Sequence, residues 1–344
     1  MTDNLWVEKT DGESVSPAPV EPKHRRPAWL ILVAILVVIG GLWFWTSHRA
    51  TAEPVLNVGS QRGGTKALLL SSGALDGAPY QVEWSEFPAA QNLLEAIGAG
   101  AVDIGLAGDA PFQFAYQSGQ PIEAVGALSD KPRPHGTLAI VVPHGSSIRD
   151  VADLRGKRIA TGRGSIGHYA LLRVLEARGL KPTDVTISFL SPGDAKAAFD
   201  SGSIDAWSTW SPYVPTALAG GARIVADGAD YLDSYAFDVA NAQSAVSKKL
   251  ILADFLRREA RAYLWAKAHP QIYANVLAKE TGLPADIALY HVTHQPLIRV
   301  PIDDRLKAEQ RDVVDHFRTA GALAGARPLD GAYLPLDQGE PHGN

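Results

Sequence analysis

The chain has 344 residues, no cysteine, and one methionine, the initiator. Without cysteine there is no disulfide framework, thiolate metal centre or thiol nucleophile, and no N-terminal Cys to carry a lipid anchor. The absence fixes no compartment, because an oxidising one permits disulfides without requiring them. Charge of one sign is also missing. Lys+Arg 32 against Asp+Glu 37 leaves −5, which offers no basic surface to a nucleic acid. None of the ten histidines falls in H-E-x-x-H, there is no G-x-S-x-G elbow, and no Gly-Lys-Ser/Thr completes a phosphate loop. His168, His291 and His294 are scattered and read as surface or core side chains. The string Gly162-x-Gly164-x-x-Gly167 is a weak dinucleotide signal. It lacks an acidic residue about 20 positions on, where the next strand runs into Ser191. No catalytic residue, metal ligand or cofactor is assigned, and the chain is read as a non-enzyme. No short tandem repeat is present, which argues against a solenoid.

What is present begins with a sizeable apolar fraction, 46% hydrophobic against 20% charged, enough to bury a core. The length suggests roughly two domains. Residues 1–26 are polar and end in Lys23, Arg25 and Arg26. From Pro27 to Ser47 there is no charge, and as a helix this stretch reaches roughly 30 Å, the thickness of a bilayer core. Trp29 lies at one end and Trp43 and Trp45 at the other, where indole rings favour the headgroup level. The basic cluster places residues 1–26 in the cytoplasm as a tail, with 27–47 as an anchor in the inner membrane. A cleaved signal is the competing reading, with Ala50-Thr51-Ala52 as its processing site. The uncharged run is longer than the usual signal core of about 7–15 residues, which favours the anchor. Either way the globular part starts near Glu53, outside the cytoplasm.

Beyond Glu53, strands alternate with helices. Strands are expected at Val55–Ser60, Tyr80–Phe87, Val102–Leu106, Leu138–Pro143, Arg158–Thr161, Val185–Leu190, Asp205–Thr209 and Arg223–Ala226. Helices are expected at Thr65–Ser71, Ala89–Ala99, Ala110–Gln117, Ile148–Leu154, Ile166–Arg178 and Pro192–Ser201, then from Lys248 onward. This alternation implies parallel sheets covered on both faces. The tract Asp130-Lys131-Pro132-Arg133-Pro134 is a linker candidate. Two α/β lobes joined by it make a hinged, cleft-forming binder, whose useful residues lie in loops after the strands' carboxyl ends.

Four such turns stand out. In Ser60-Gln61-Arg62-Gly63-Gly64 the glycines let backbone approach a ligand while side chains offer donors. In Gly108-Asp109-Ala110-Pro111, Asp109 suits a helix N-cap, and the free N–H groups beside it could face a ligand. Gly162–His168 opens a long helix. Its positive dipole end is a natural anion site, with a hydroxyl from Ser165 and charge from Arg163 or His168. In Asp205–Tyr213, Trp207 and Trp210 offer walls for an organic ligand. Core packing is the competing role for one of the two, and their three-residue offset points them differently on an extended chain.

The stretches Val82–Phe87, Leu94–Gly108, Val151–Gly156, Lys157–Ser165 and Phe199–Tyr213 together resemble the periplasmic substrate-binding proteins of ABC transporters for aliphatic sulfonates, with taurine and nitrate binders as cousins. The resemblance runs from about Val55 to Pro270. It implies a type II periplasmic-binding fold of two α/β lobes: residues 53–136 and 242–344 in lobe I and 137–241 in lobe II. It further implies a monomer that captures a small organic anion, an alkyl or aryl sulfonate, and delivers it to a permease driven by an ATPase. Carried over by position are Gln61, Asp109, Ala110, Phe112, Ser165, His168, Trp207 and Trp210, and Arg62 and Ser211 complete the expected ligand-binding set. The family usually shows Trp-Asp-Pro-Tyr where this chain has Trp210-Ser211-Pro212-Tyr213, so a carboxylate near the cleft is lost. The rivals are a membrane-anchored sensory domain and an enzyme on the same fold. Pyrimidine-precursor synthases of the latter kind carry a Cys-rich signature that this chain cannot supply.

Overall fold

The computed structural model describes residues 53–336 apart from 63 and 326, together with 33 and 35–39 of a separate N-terminal unit. Within that unit Val33 and residues 35–39 are helical and exposed. The rest of the 27–47 span, the 1–26 tail and the processing site lie outside the described residues. Among the described residues no helix is long and apolar enough to cross a membrane.

In chain order the globular unit runs β1 (Val55–Gln61), α1 (Thr65–Ser72), β2 (Gln81–Phe87), α2 (Ala90–Gly98), β3 (Ile104–Gly108), α3 (Asp109–Gln117) and β4 (Ile122–Ser129). The chain then crosses to β5 (Leu138–Val142), β6 (Arg158–Thr161), α4 (Ile166–Ala177), β7 (Thr186–Phe189), α5 (Pro192–Asp200), β8 (Ala206–Trp210), α6 (Tyr213–Ala219) and β9 (Arg223–Asp227). It returns through β10 (Tyr235–Asn241), α7 (Ala242–Ser247), α8 (Lys249–Ala268), α9 (Pro270–Thr281), α10 (Ala285–His294), β11 (Ile298–Val300) and α11 (Asp304–Thr319).

These strands form two sheets, ordered β11-β4-β10-β3-β1-β2 and β7-β6-β8-β5-β9. Both are mixed, which corrects the expectation of parallel sheets. β1 is parallel to β2 and β3, whereas β10 is antiparallel to β3 and β4. In the second sheet β6 is parallel to β7 and β8, and β5 is antiparallel to β8 and β9. The strands on either side of each crossing run against their neighbours because the chain enters and leaves a sheet there without an intervening helical crossover. β10 belongs to the first sheet, so the chain regains it at Tyr235 rather than at the expected residue 242. Phe237 and Val239 are buried in that sheet.

Each sheet is covered on both faces. α2 buries Leu93, Leu94 and Ile97 at helical spacing, packing with Phe112 and Phe237 on one face of the first sheet. On the other face α8 contributes Leu252, Phe255 and Leu256 against Leu56 and Val58. Each such buried side chain contributes about 1.5–3 kcal/mol. Inside this lobe Arg299 of β11 ion-pairs with Asp238 of β10 and with Glu259 of α8, the latter at 2.9 Å. Gly126 makes this reach possible: a Cβ there would lie 2.6 Å from the Asp238 carboxylate and closer still to the guanidinium. A further apolar cluster, including Tyr169 of α4 and Phe317 of α11, joins elements of both lobes.

Candidate functional site

The two sheets face each other across a cleft of about 370 Å³. Its floor is the pair of crossings between lobes, represented by Asp130, Arg133, Ser234 and Tyr235. One side is the β1–α1 turn with Gln61, Arg62, Gly64 and Thr65. The opposite side is the start of α4, with Ser165 and Ile166, and the end of β8, with Trp210, Ser211 and Tyr213. The returning chain closes the outer edge with Tyr263, Lys267, Tyr273, His291 and the apolar pair Leu297 and Ile298.

Polar groups on this wall are partly committed. The Gln61 amide donates to the Leu106 carbonyl at 2.6 Å, which pins the β1–α1 turn to β3. No side chain caps α1, whose first residue Thr65 is buried at the cleft. Its first-turn N–H groups therefore form a positive helix end without a built-in acceptor. Ser165 is the N-cap of α4, accepting from the His168 N–H at 3.1 Å. Arg62 lies opposite the Tyr213 hydroxyl. Burial pushes that phenol up, and the charge and hydrogen bond of Arg62 draw it back. Ser211 Oγ and His291 Nδ1 are 2.9 Å apart and join the end of β8 to α10 across the lobes. Burial holds His291 down at about 4, so the imidazole is neutral at pH 7. Asp130 is the one carboxylate among the described lining residues. Burial pushes it up, and Arg133 beside it pulls the other way.

Of the residues expected from the sequence, Gln61, Arg62, Ser165, Trp210 and Ser211 line the cleft. Asp109, Ala110, Phe112, His168 and Trp207 do not, and each is buried for a definite reason. Asp109 accepts from its neighbour Ala110 N–H at 2.7 Å, from Tyr235 N–H at 2.9 Å and from Gln310 at 3.2 Å. It knots the start of α3 to β10 and α11, and it occupies the N–H at Ala110 that was expected to face an anion. Phe112 packs in the first lobe's core, its ring 5.2 Å from that of Phe237. His168 accepts from Gly164 N–H at 3.2 Å and packs against Phe189 and Phe317. Burial, with Arg163 nearby, pushes it down to about 4, so it brings no charge to an anion. Trp207 faces the second lobe's core beside Phe199, and Trp210, three residues on, turns to the cleft.

The family profile described as NMT1/THI5 like matches residues 81–272. A relative from Escherichia coli named for aliphatic sulfonate binding is 33% identical over 291 residues, spanning 82% of this chain and 90% of that protein. The chain belongs to the NMT1/THI5-like family. Among solved structures, the alkanesulfonate-binding protein of Xanthomonas axonopodis pv. citri, solved bound to MOPS, superposes with a TM-score of 0.75 at 31% identity. That match covers 83% of this chain and 99% of the other. The names of these relatives are those of binding proteins, and the two-sheet fold of this chain matches the solved one. A desulfurization enzyme shares the fold at 20% identity and a TM-score of 0.59, covering 82% of this chain and 96% of its own. Among the described residues no group of three or more His, Asp or Glu side chains is arranged to hold a metal ion.

Several cleft residues escaped the sequence reading. Arg133 stands between two prolines in the tract read only as a linker, and that placement was the available signal. Tyr235, Tyr263 and His291 arrive with the returning chain, where no local motif marks them.

Proposed function

We propose that this protein is the periplasmic solute-binding component of an ABC importer, capturing an aliphatic or aryl sulfonate in the inter-lobe cleft for delivery to a permease. The 27–47 span would serve as its inner-membrane anchor, the lobes being residues 53–136 with the returning chain and the segment between the crossings. The observation that carries the reading is the cleft wall. It sets an uncapped helix start and three cations, Arg62, Arg133 and Lys267, beside Trp210, Tyr213 and an apolar edge at Leu297 and Ile298. Helix N-termini and guanidinium groups favour a small oxyanion, while aromatic and aliphatic walls favour its carbon tail. The names of the relatives, and the MOPS bound by one of them, support the same class.

The wall also disfavours a ligand carrying its own positive charge. Asp130 already shares its charge with Arg133, and Ser211 meets a neutral His291. An ammonium group in the cleft would be desolvated without a partner, which costs at least about 1.4 kcal/mol, or tenfold in affinity. Titration calorimetry on the full-length protein with ethanesulfonate, benzenesulfonate, MOPS, taurine, nitrate and sulfate tests both points. A sulfonate should bind, and taurine at least about tenfold more weakly than ethanesulfonate. Trp210→Ala should weaken sulfonates with a tail more than nitrate. Absence of heat with every oxyanion would overturn the reading.

A further inference from the structure

Arg133 differs from the other cations of the cleft. It lies in the first crossing between the lobes and its side chain is only 8% exposed. One arm of its guanidinium hydrogen-bonds Ser234 Oγ in the second crossing, and the Arg133 backbone N–H donates to the Asp233 carboxylate there at 3.4 Å. The other arm stands 3.7 Å from Asp130, a distance that gives charge attraction without a hydrogen bond. Its Nε–H is buried and has no hydrogen-bond partner among the described residues. A buried guanidinium N–H left without an acceptor is costly, and such groups usually have one. The residue lines the cleft floor. Its charge reaches Asp109 at the start of α3, beside the carboxyl end of β3.

We infer that Arg133 is the charged partner of the bound oxyanion. The anion accepts from its Nε–H, while its Ser234 bond ties the occupied cleft to both crossings of the hinge. This rests on the proposal that the ligand is an oxyanion. Asp130 is then a competitor: it partly neutralises the guanidinium that the anion must use. A residue serving only to staple the crossings would need the Ser234 and Asp233 bonds but neither the Nε–H nor a loosely held counter-charge.

The experiment is calorimetric titration of the full-length protein with ethanesulfonate, alongside thermal melting of each variant. Arg133→Gln should weaken binding about 10- to 100-fold, the range of a charge-assisted hydrogen bond. Arg133→Lys keeps the charge but lacks the fork and Nε–H, and should fall between Gln and the unaltered protein. Asp130→Asn removes the competitor and should tighten binding, a direction that loss of a structural contact does not produce. Asp233→Ala cuts a staple contact outside the cleft wall and should stay within about threefold. The inference is overturned if Arg133→Gln binds within threefold of the unaltered protein, or if Asp233→Ala loses as much as Arg133→Gln. Should Arg133→Gln fail to fold, Arg133→Lys with unchanged affinity overturns it as well. No binding of any oxyanion by the unaltered protein removes the oxyanion reading itself, and this inference with it. Binding that is indifferent to Arg133 removes this inference alone.

Discussion

The contact between Gly164 and Phe114 tests whether α3 and the turn before α4 must meet for the ligand to be held. Gly164 lies in the turn before α4, with φ at +67°, and Phe114 lies on α3 in the other lobe. A Cβ on Gly164 would stand 2.4 Å from Phe114 Cγ, the base of a ring already packed edge-on against Phe317 at 5.5 Å. Gly164→Ala therefore has two separable costs. The left-handed backbone costs about 1–2 kcal/mol wherever the lobes stand, and lowers the melting temperature by about 2–8 °C. The clash exists only while the lobes touch. At about 1–3 kcal/mol for overpacking, it weakens ligand binding about 5- to 150-fold, although Gly164 is not part of the cleft wall. Truncating the ring separates the two costs. In a Phe114→Ala background, adding Gly164→Ala should still lower the melting temperature but leave affinity unchanged, a coupling read from a double-mutant cycle. Titration calorimetry with ethanesulfonate and differential scanning calorimetry supply both numbers. Wild-type affinity in Gly164→Ala, or an affinity loss that persists without the Phe114 ring, would refute the reasoning.

Buried His168 and half-buried His291 set a pH dependence. His168 and His291 are both held down at about 4, against 6.5 in an unfolded chain, so the unfolded state takes up protons first as pH falls. Stability is then lost between about pH 6.5 and pH 4, by up to about 3 kcal/mol for each histidine. Urea unfolding at pH 7 and pH 5 should reveal the loss, and His168→Gln should reduce it; an unchanged slope contradicts the assignment. In the Arg299 cluster, Arg299→Leu leaves Asp238 and Glu259 buried without their cation and should cost about 3–5 kcal/mol. Burial and Asp238 push the Glu259 carboxyl well up, so Glu259→Gln should cost less than about 1 kcal/mol. Equal losses in these two variants would show that charge is not what the cluster balances. Asp109→Ala frees buried donors on three elements and should destabilise by about 3 kcal/mol or more, while ligand affinity measured below the melting transition stays near that of the unaltered protein. A large affinity loss at full stability would return Asp109 to the binding set.

The α/β units were legible because each is local. Leu93, Leu94 and Ile97 recur at helical spacing, and the run Arg158–Thr161 ends in a glycine turn, so strand, turn and helix can be read within a few residues. Strand direction is not local. β4 and β10 went unread, and with them the antiparallel half of the first sheet. Ile122–Ser129 is rich in small residues, and its partner Tyr235–Asn241 is contributed only after the chain has built the other lobe.

The same distinction sorts the site residues. That the carboxyl ends of β1, β3, β6 and β8 would carry the cleft followed from the sheet rule, and each of them does contribute to its wall. Which side chain in each turn faces the cleft depends on how the following helix rolls on its sheet, and composition does not record that. Asp109 and His168 have the chemistry of ligand-binding residues, yet α3 and α4 turn them inward, where they bind backbone N–H groups of Tyr235 and Gly164. Arg133 is the reverse case. Its neighbours Pro132 and Pro134 make the tract read as a linker. Only the return of Ser234 beside it converts a linker arginine into a buried group with an N–H to spare. A residue of the first crossing acquires its surroundings from the second. A reading along the chain can therefore find the cleft's rims more readily than its floor.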